Sequence, residues 1–193
     1  MPTHLFLDHI RSYTEVSDEE FAEFLAYFKH FTVPKNETFY RAGEVPRYSP
    51  FILKGCFRQY ISNSDGTEQT ILLIEEGTFA GQVGSMRTNT PTNVTLQALE
   101  DSEVLGITIA NADLCLDKFP FYKIFFGKKF PSDHARLMEE ALRLKTETPE
   151  ALYKELVEKR PSLIQRVPQH ILANYLGVRT ETISRIRAKI ARG

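Results

Sequence analysis

A chain of 193 residues with 42% hydrophobic and 25% charged residues has the length for one or two buried cores and the composition of an ordinary soluble globular protein. Its net charge of −1 hides an asymmetry, because residues 150–193 hold 9 Lys and Arg against 4 Asp and Glu while residues 1–149 hold 15 against 21. Cys56 and Cys115 lack metal-ligand spacing, which excludes a disulfide scaffold and a four-cysteine iron–sulfur centre. No signal peptide and no membrane-length apolar run is evident, so a cytoplasmic location is expected.

Residues 1–30 read as helical. Ser17 and Glu20 form a capping box ahead of an apolar face of Phe21, Phe24, Leu25 and Phe28. From about Thr32 to Thr108 the pattern changes to short strands separated by turn residues. Phe51–Leu53 and Cys56–Ile61 flank Lys54-Gly55, which predicts a hairpin. Asn63–Gly66 turns the chain into Gln69–Ile74, and Glu100-Asp101 separates Val94–Leu96 from Val104–Ile109. Many short strands at this spacing predict an antiparallel β-barrel or jelly roll.

Residues 111–147 return to helix, with Pro131 expected to kink or restart it. Phe119, Tyr122, Phe126, Phe130, Leu137, Ala141 and Leu144 lie on an imperfect apolar stripe. It either packs on its own barrel or pairs with its twin in a homodimer through residues 119–145. Thr146–Glu150 breaks the helix, and Ala151–Lys159 starts a last unit. The expected fold is α+β in three parts: 1–118, a β-barrel domain with an N-terminal helix; 119–147, a connecting helix; and 148–193, a helix-turn-helix.

The last unit is the most specific. Pro168 opens a helix with Ile171, Leu172, Tyr175 and Leu176 on one face, and Ala173 leaves room for a close crossing. Gly177 suits the left-handed turn, and Ile183, Ile186 and Ile190 form the buried face of a second helix. Thr180, Glu181, Ser184 and Arg185 then point outward, with Arg187 and Lys189 at the flanks and Gln169 at the start of the first helix. Arg185 can donate twice to guanine O6 and N7, and Glu181 can accept from cytosine N4. The plain alternative is an i,i+4 surface pair between Glu181 and Arg185. The basic charge of residues 150–193 falls on the same stretch and suits a phosphate backbone.

The order of barrel, long helix and helix-turn-helix resembles the Crp–Fnr superfamily of bacterial transcription regulators. The matching segments are FILKGCFRQY (51–60), GTFAGQVGS (77–85), LQALEDSEVLGIT (96–108) and LGVRTETISRIR (176–187). The resemblance implies that Glu181 and Arg185 read a palindromic double-stranded operator as part of a dimer, with RNA polymerase a further partner. It also implies a cyclic-nucleotide-type pocket at Gly81, Gln82, Gly84, Ser85, Arg87, Thr92 and Asn93. The nucleotide-binding members carry Gly-Glu and, about ten residues on, Arg followed by Ser or Thr. This chain has Gly81-Gln82 and Thr92-Asn93, so cyclic AMP is not the expected effector. The effector is an unknown small molecule, or there is none.

His4, His9, His30, His134 and His170 show no ligand spacing, and residues 38–108 contain no histidine, against a cupin-type metal enzyme. No catalytic residue, metal or cofactor is assigned. The alternative to a DNA-binding regulator is a ligand-sensing or protein-interaction module whose helix-turn-helix no longer contacts DNA.

Overall fold

The structure is a computed structural model that describes residues 3–190; residues 1–2 and 191–193, the outer tips of the expected end domains, lie outside the described residues. The expected first helical stretch is two helices, α1 (His4–Arg11) and α2 (Asp18–Leu25). Between them Arg11 donates to the Val16 carbonyl (3.0 Å) and the Asp18 carboxylate (2.8 Å), which fastens the turn. The capping box on α2 forms: the Ser17 hydroxyl accepts from the Glu20 amide, and the Glu20 carboxylate accepts from the Ser17 amide, both at 3.1 Å. Phe28 lies beyond the helix, because the first strand begins at Lys29.

Seven strands follow: β1 (Lys29–Val33), β2 (Thr38–Tyr40), β3 (Ser49–Lys54), β4 (Phe57–Ser62), β5 (Glu68–Ile74), β6 (Thr95–Ala98) and β7 (Ser102–Ile107). They form two antiparallel sheets, ordered β1-β7-β3 and β2-β6-β4-β5. One core joins them, with Val33, Ile52 and Val104 from the first sheet meeting Tyr40, Phe57, Ile74, Leu96 and Ala98 from the second. This is the expected jelly roll, in two sheets.

One turn differs from the sequence expectation. Lys54-Gly55 does not close a hairpin, because β3 and β4 belong to different sheets. Gly55 has φ +109°, and a Cβ there would lie 2.0 Å from the Ser102 hydroxyl, so glycine lets the chain cross between sheets past β7. Asn63–Gly66 does close the β4–β5 hairpin, with the Asn63 amide donating to the Thr67 carbonyl at 2.8 Å.

A short α3 (Val83–Thr88) interrupts the strands, and α4 (Ile109–Lys118) and α5 (Pro120–Thr146) follow them. Phe119 adopts extended backbone, and Pro120, which has no N–H to donate, starts the new helix. Pro131 does not restart the helix; α5 runs through it. Pro131 and Gly127, whose carbonyl loses its amide partner, both lie on the exposed side, where water can replace the missing bond. The inner face of α5 buries Phe121, Tyr122, Phe125 and Lys129. Phe125 reaches an aromatic cluster in which Phe6 stacks on Phe51 at 4.2 Å and meets Phe24 at 5.8 Å. Burial pushes the two free thiols up, Cys56 to about 12 and Cys115 to about 11.

The C-terminal helices are α6 (Pro149–Lys159), α7 (Pro161–Arg166), α8 (Gln169–Tyr175) and α9 (Thr180–Ile190); α7 was not legible in the sequence pattern. Leu152, Leu156, Leu163, Val167, Leu172 and Ile183 share one core with Cys56, Leu73 and Leu99 of the barrel. Charged groups ring this contact. Arg166 grips Glu76 with both terminal nitrogens (2.7 and 2.9 Å) and also bonds Glu100 at 3.0 Å. Arg160 bonds Glu75 (2.9 Å) and the Leu73 carbonyl (2.8 Å), and Ser162 donates to Glu75 at 2.6 Å.

Burial alone would push the Glu76 carboxyl up, but hydrogen bonds from Arg166 and from backbone amides outweigh it and hold it below the ordinary glutamate value. A carboxylate depressed in the folded state stabilises fully above its unfolded pKa, and that stabilisation is lost as pH falls through the folded value. Thermal unfolding followed from neutral to acid pH should therefore lose stability in the acid range. Glu76→Gln should lower the neutral-pH melting temperature and flatten that acid slope. An unchanged slope would remove Glu76 from the coupling.

Candidate nucleic-acid interface and effector site

Three local devices place α9. Pro168 precedes α8 as its cap, one residue outside the position expected. At the other end of α8 Gly177 has φ +67°, the Gly177 amide donates to Asn174 O (3.2 Å), and the Val178 amide donates to Ala173 O (2.9 Å). This pair of bonds is a Schellman stop, and glycine supplies the left-handed residue it requires. Ile183 and Ile186 are buried against Ile171, Leu172 and Ala173, which fixes the rotation of α9.

That rotation leaves Thr180, Glu181, Ser184 and Arg185 exposed on one face. Glu181 and Arg185 form no ion pair with each other or with any other described residue; the Arg185 guanidinium makes only a long 3.4 Å bond to the Glu181 carbonyl. The simple surface pair is therefore absent. The other expected contacts are distributed differently. Gln169 donates to the Ser184 hydroxyl (2.6 Å) and the Thr180 carbonyl (3.2 Å), so these two side chains hold α8 against α9. Arg187 is turned inward, donating to the Tyr153 hydroxyl at 2.7 Å with its guanidinium over the Tyr153 ring. Lys189 pairs with Glu150 at 2.8 Å. Both cations contact α6, but only Arg187 is turned inward; Lys189 stays at the exposed flank with its side chain 70% accessible. Arg179, just before α9, is exposed and makes no ion pair among the described residues. The sequence reading passed over it because it lies outside the periodic helix, although a lone cation beside the Gly177 turn was a usable signal.

Of the expected effector residues only Gly81 and Arg87 line a common pocket, beneath α5; Gln82, Gly84, Ser85, Thr92 and Asn93 do not line it. Gly81 packs so closely that a Cβ would lie 2.0 Å from the Ser49 hydroxyl. Gly84, Ser85 and Arg87 lie on α3, and Arg87 is tied to Asp113 of α4 at 2.6 Å. Thr92 is buried with its polar groups used: its amide donates to Glu44 O (2.9 Å), its carbonyl accepts from Gly43 (2.8 Å) and its hydroxyl accepts from Val94 (3.1 Å). Asn93 faces solvent. Tyr40 enters the barrel beside them, donating to the Ala80 carbonyl (2.8 Å) and accepting from the Gln59 amide (2.7 Å). Burial pushes its hydroxyl up, and the amides of Gln82 and Gln59 oppose this only in part. The barrel interior at this point is occupied by its own side chains and offers no free cation among the described residues.

Residues 30–116 match the family model for the cyclic nucleotide-binding domain. No curated protein sequence matches the chain. Among solved structures, the c-di-GMP-responsive global regulator CLP of Xanthomonas campestris is 18% identical with a TM-score of 0.69, covering 89% of this chain and 90% of that one. A CooA variant from Carboxydothermus hydrogenoformans is 19% identical with a TM-score of 0.70, covering 95% and 83%. The catabolite activator protein of Thermus thermophilus is 20% identical with a TM-score of 0.56, covering 93% and 86%. Residues 30–116 thus resemble a cyclic nucleotide-binding domain, and the chain shares its α+β fold over most of its length with these proteins.

Thr92 supplies no charge to a cyclic phosphate, and Tyr40 occupies the barrel interior beside Ala80 and Gln82. Calorimetry with cyclic AMP and cyclic GMP should therefore show no saturable heat at physiological concentrations. A low-micromolar dissociation constant would mean that Tyr40 can swing out and that Arg87 can leave Asp113.

Proposed function

We propose that the chain is a sequence-specific, DNA-binding transcription regulator that acts as a homodimer and does not use a cyclic nucleotide as effector. The observation that carries this is the outer face of α9. Its other surfaces are fixed by Ile183, Ile186, Arg187 and Lys189, while Glu181 and Arg185 stand one turn apart, exposed and without ionic partners among the described residues. In the major groove Arg185 is the guanine reader and Glu181 the cytosine reader. Arg179 takes a phosphate, and Thr180 lies at the rim of the same face. No catalytic step is part of this function. None of the described helices is long and apolar enough to cross a membrane.

Dimerisation uses α5, on a seam beside the one expected. Leu144 packs against the chain's own C-terminal core, and Phe126 and Leu137 are half-buried. Phe130 and Ala141 of the expected stripe are exposed, Phe130 by 54%, and beside them Met138, Leu142 and Ile124 are 58%, 61% and 45% exposed. Ile124, Pro131 and Met138 recur every seven residues, as do Ala135 and Leu142, the spacing of a two-helix seam. A twofold dimer doubles the bases read, which one short helix cannot do alone.

Two measurements test this. Once a cognate site has been selected from random DNA, Arg185→Ala should lose about 1–3 kcal/mol there and little on random DNA. Arg179→Ala should instead weaken binding to all sequences and reduce the salt slope by about one. Equal loss on both DNAs for Arg185→Ala would end its base-reading role, and no binding to any DNA would favour the interaction-module alternative. In sedimentation the chain should be a dimer that Met138→Asp converts to monomer; a monomeric wild type, with and without DNA, would contradict the seam.

A further inference from the structure

Two neighbouring residues near the end of α8 reach different parts of the molecule. Asn174 bonds the backbone of β5. Tyr175, which is buried, donates its hydroxyl to the Glu140 carboxylate of α5, 35 positions back in the chain. Burial, and then the charge of Glu140, push the Tyr175 hydroxyl up, so it remains the donor. Glu140 is half-buried and also accepts from Arg136 at 3.2 Å, with Arg160 4.0 Å away. A hydrogen bond to a carboxylate is stronger than a neutral one.

The space around this bond is not filled. A cavity of about 280 Å³ lies between α5 and the helices α6 and α8, floored by Leu144, Leu152, Leu156 and Leu176. Glu140 and Tyr175 both line it. Close packing resists the rotation of one element against another, and an open gap does not. Two other α5 side chains meet the helical unit: Leu144 packs on its core, and Arg143 bonds Glu155. Both lie within a turn of the end of α5 at Thr146, close to the pivot between the two parts. Glu140 lies about 9 Å from that end, at about 1.5 Å per residue, and so has the greater leverage over the angle.

We propose that the Tyr175–Glu140 bond sets the separation of the two α9 helices in the dimer, and with it the half-site spacing that the dimer accepts. The proposal rests on the dimeric DNA-binding function proposed above. Met138 and Leu142 stand two residues on either side of Glu140, about 200° around the helix, so the seam and the bond occupy opposite faces of one short stretch of α5. The seam places α5 on the twofold axis, the bond places α8 on α5, and Ile171, Leu172 and Ala173 place α9 on α8. The two recognition helices of a dimer enter successive major grooves when they lie about 34–36 Å apart. A rotation about the end of α5 would change that separation. Tyr175 and Glu140 are therefore positioning residues and touch no base.

The test uses the full chain and duplexes that carry the selected half-site twice, as a palindrome. Their centre-to-centre spacing is stepped by single base pairs on either side of about 10 base pairs. The wild type should prefer one spacing. Tyr175→Phe should lose about tenfold at that spacing, the worth of one charge-assisted bond, and should bind its neighbours almost equally well. Its binding to a single half-site should not change. Glu140→Ala should behave like Tyr175→Phe, and Glu140→Gln, which keeps an acceptor, should restore the preference. Thermal unfolding checks that each variant folds. An unchanged preference in both Tyr175→Phe and Glu140→Ala, or an equal loss on the single half-site, overturns the proposal. A wild-type dimer that binds no DNA removes the regulator instead, and the bond is then read without DNA. Spin labels on Arg179→Cys in the two chains should give a narrow distance distribution that Tyr175→Phe broadens, the native thiols being buried. Equal widths, or a chain that forms no dimer, overturn the proposal.

Discussion

The side-chain amide of Asn174 joins α8 to the barrel. Strand β5 is an edge of its sheet, and edge strands carry unpaired backbone groups that invite unwanted pairing. Asn174 Oδ1 accepts from the Thr70 amide at 2.6 Å, and its Nδ2 donates to the Glu68 carbonyl at 2.7 Å. Gln69 returns a bond to the Asn174 carbonyl at 2.8 Å. One helix side chain thus imitates a neighbouring strand. Neutral bonds of this kind contribute about 1 kcal/mol each, whereas burying Leu163, Leu73 and their neighbours contributes about 1.5–3 kcal/mol per side chain. The apolar contact supplies the attraction, and the amide and the Arg166–Glu76 grip set the register in which it forms.

The docking of α8 carries α9 with it. Its apolar side is buried in the same core that receives Leu73 and Leu99 of the barrel. Its later cations, Arg187 and Lys189, are held by Tyr153 and Glu150 of α6. The docked faces of α7 and α8 are not the face that carries Glu181 and Arg185, so the contact with the barrel leaves that surface open. An acidic barrel and a basic helical unit fit this arrangement, because the charge asymmetry is partly consumed at the join by Glu75, Glu76 and Glu100 against Arg160 and Arg166.

The jelly roll shows how a ligand-binding fold can keep its frame and change its interior. Tyr40 and Gln59 complete each other's hydrogen bonds, which lets two polar side chains remain buried in an otherwise apolar barrel. A residue that is satisfied in this way costs little to keep and something to displace. Open space is found instead under α5, where the rings of Phe79, Tyr122, Phe125 and Phe126 meet.

The sequence by itself determined the local elements. Ser17 and Glu20 capped a helix, Asn63–Gly66 turned a hairpin, Gly177 stopped α8, and the isoleucines of α9 oriented it, because each depends on residues a few positions apart. It also showed Glu181 and Arg185 on one outward face, since helical periodicity fixes relative direction. What it did not contain was the identity of the neighbour across each face. Lys54-Gly55 looked like a hairpin until β3 and β4 were seen to lie in different sheets. Arg187 and Lys189 carried no sign of α6 beside them, and the stripe on α5 carried none of which of its residues the barrel would cover. Those outcomes depend on contacts between residues tens of positions apart, and only the packed tertiary structure decides them, because periodicity reports which side chains share a face and carries no information about what that face meets.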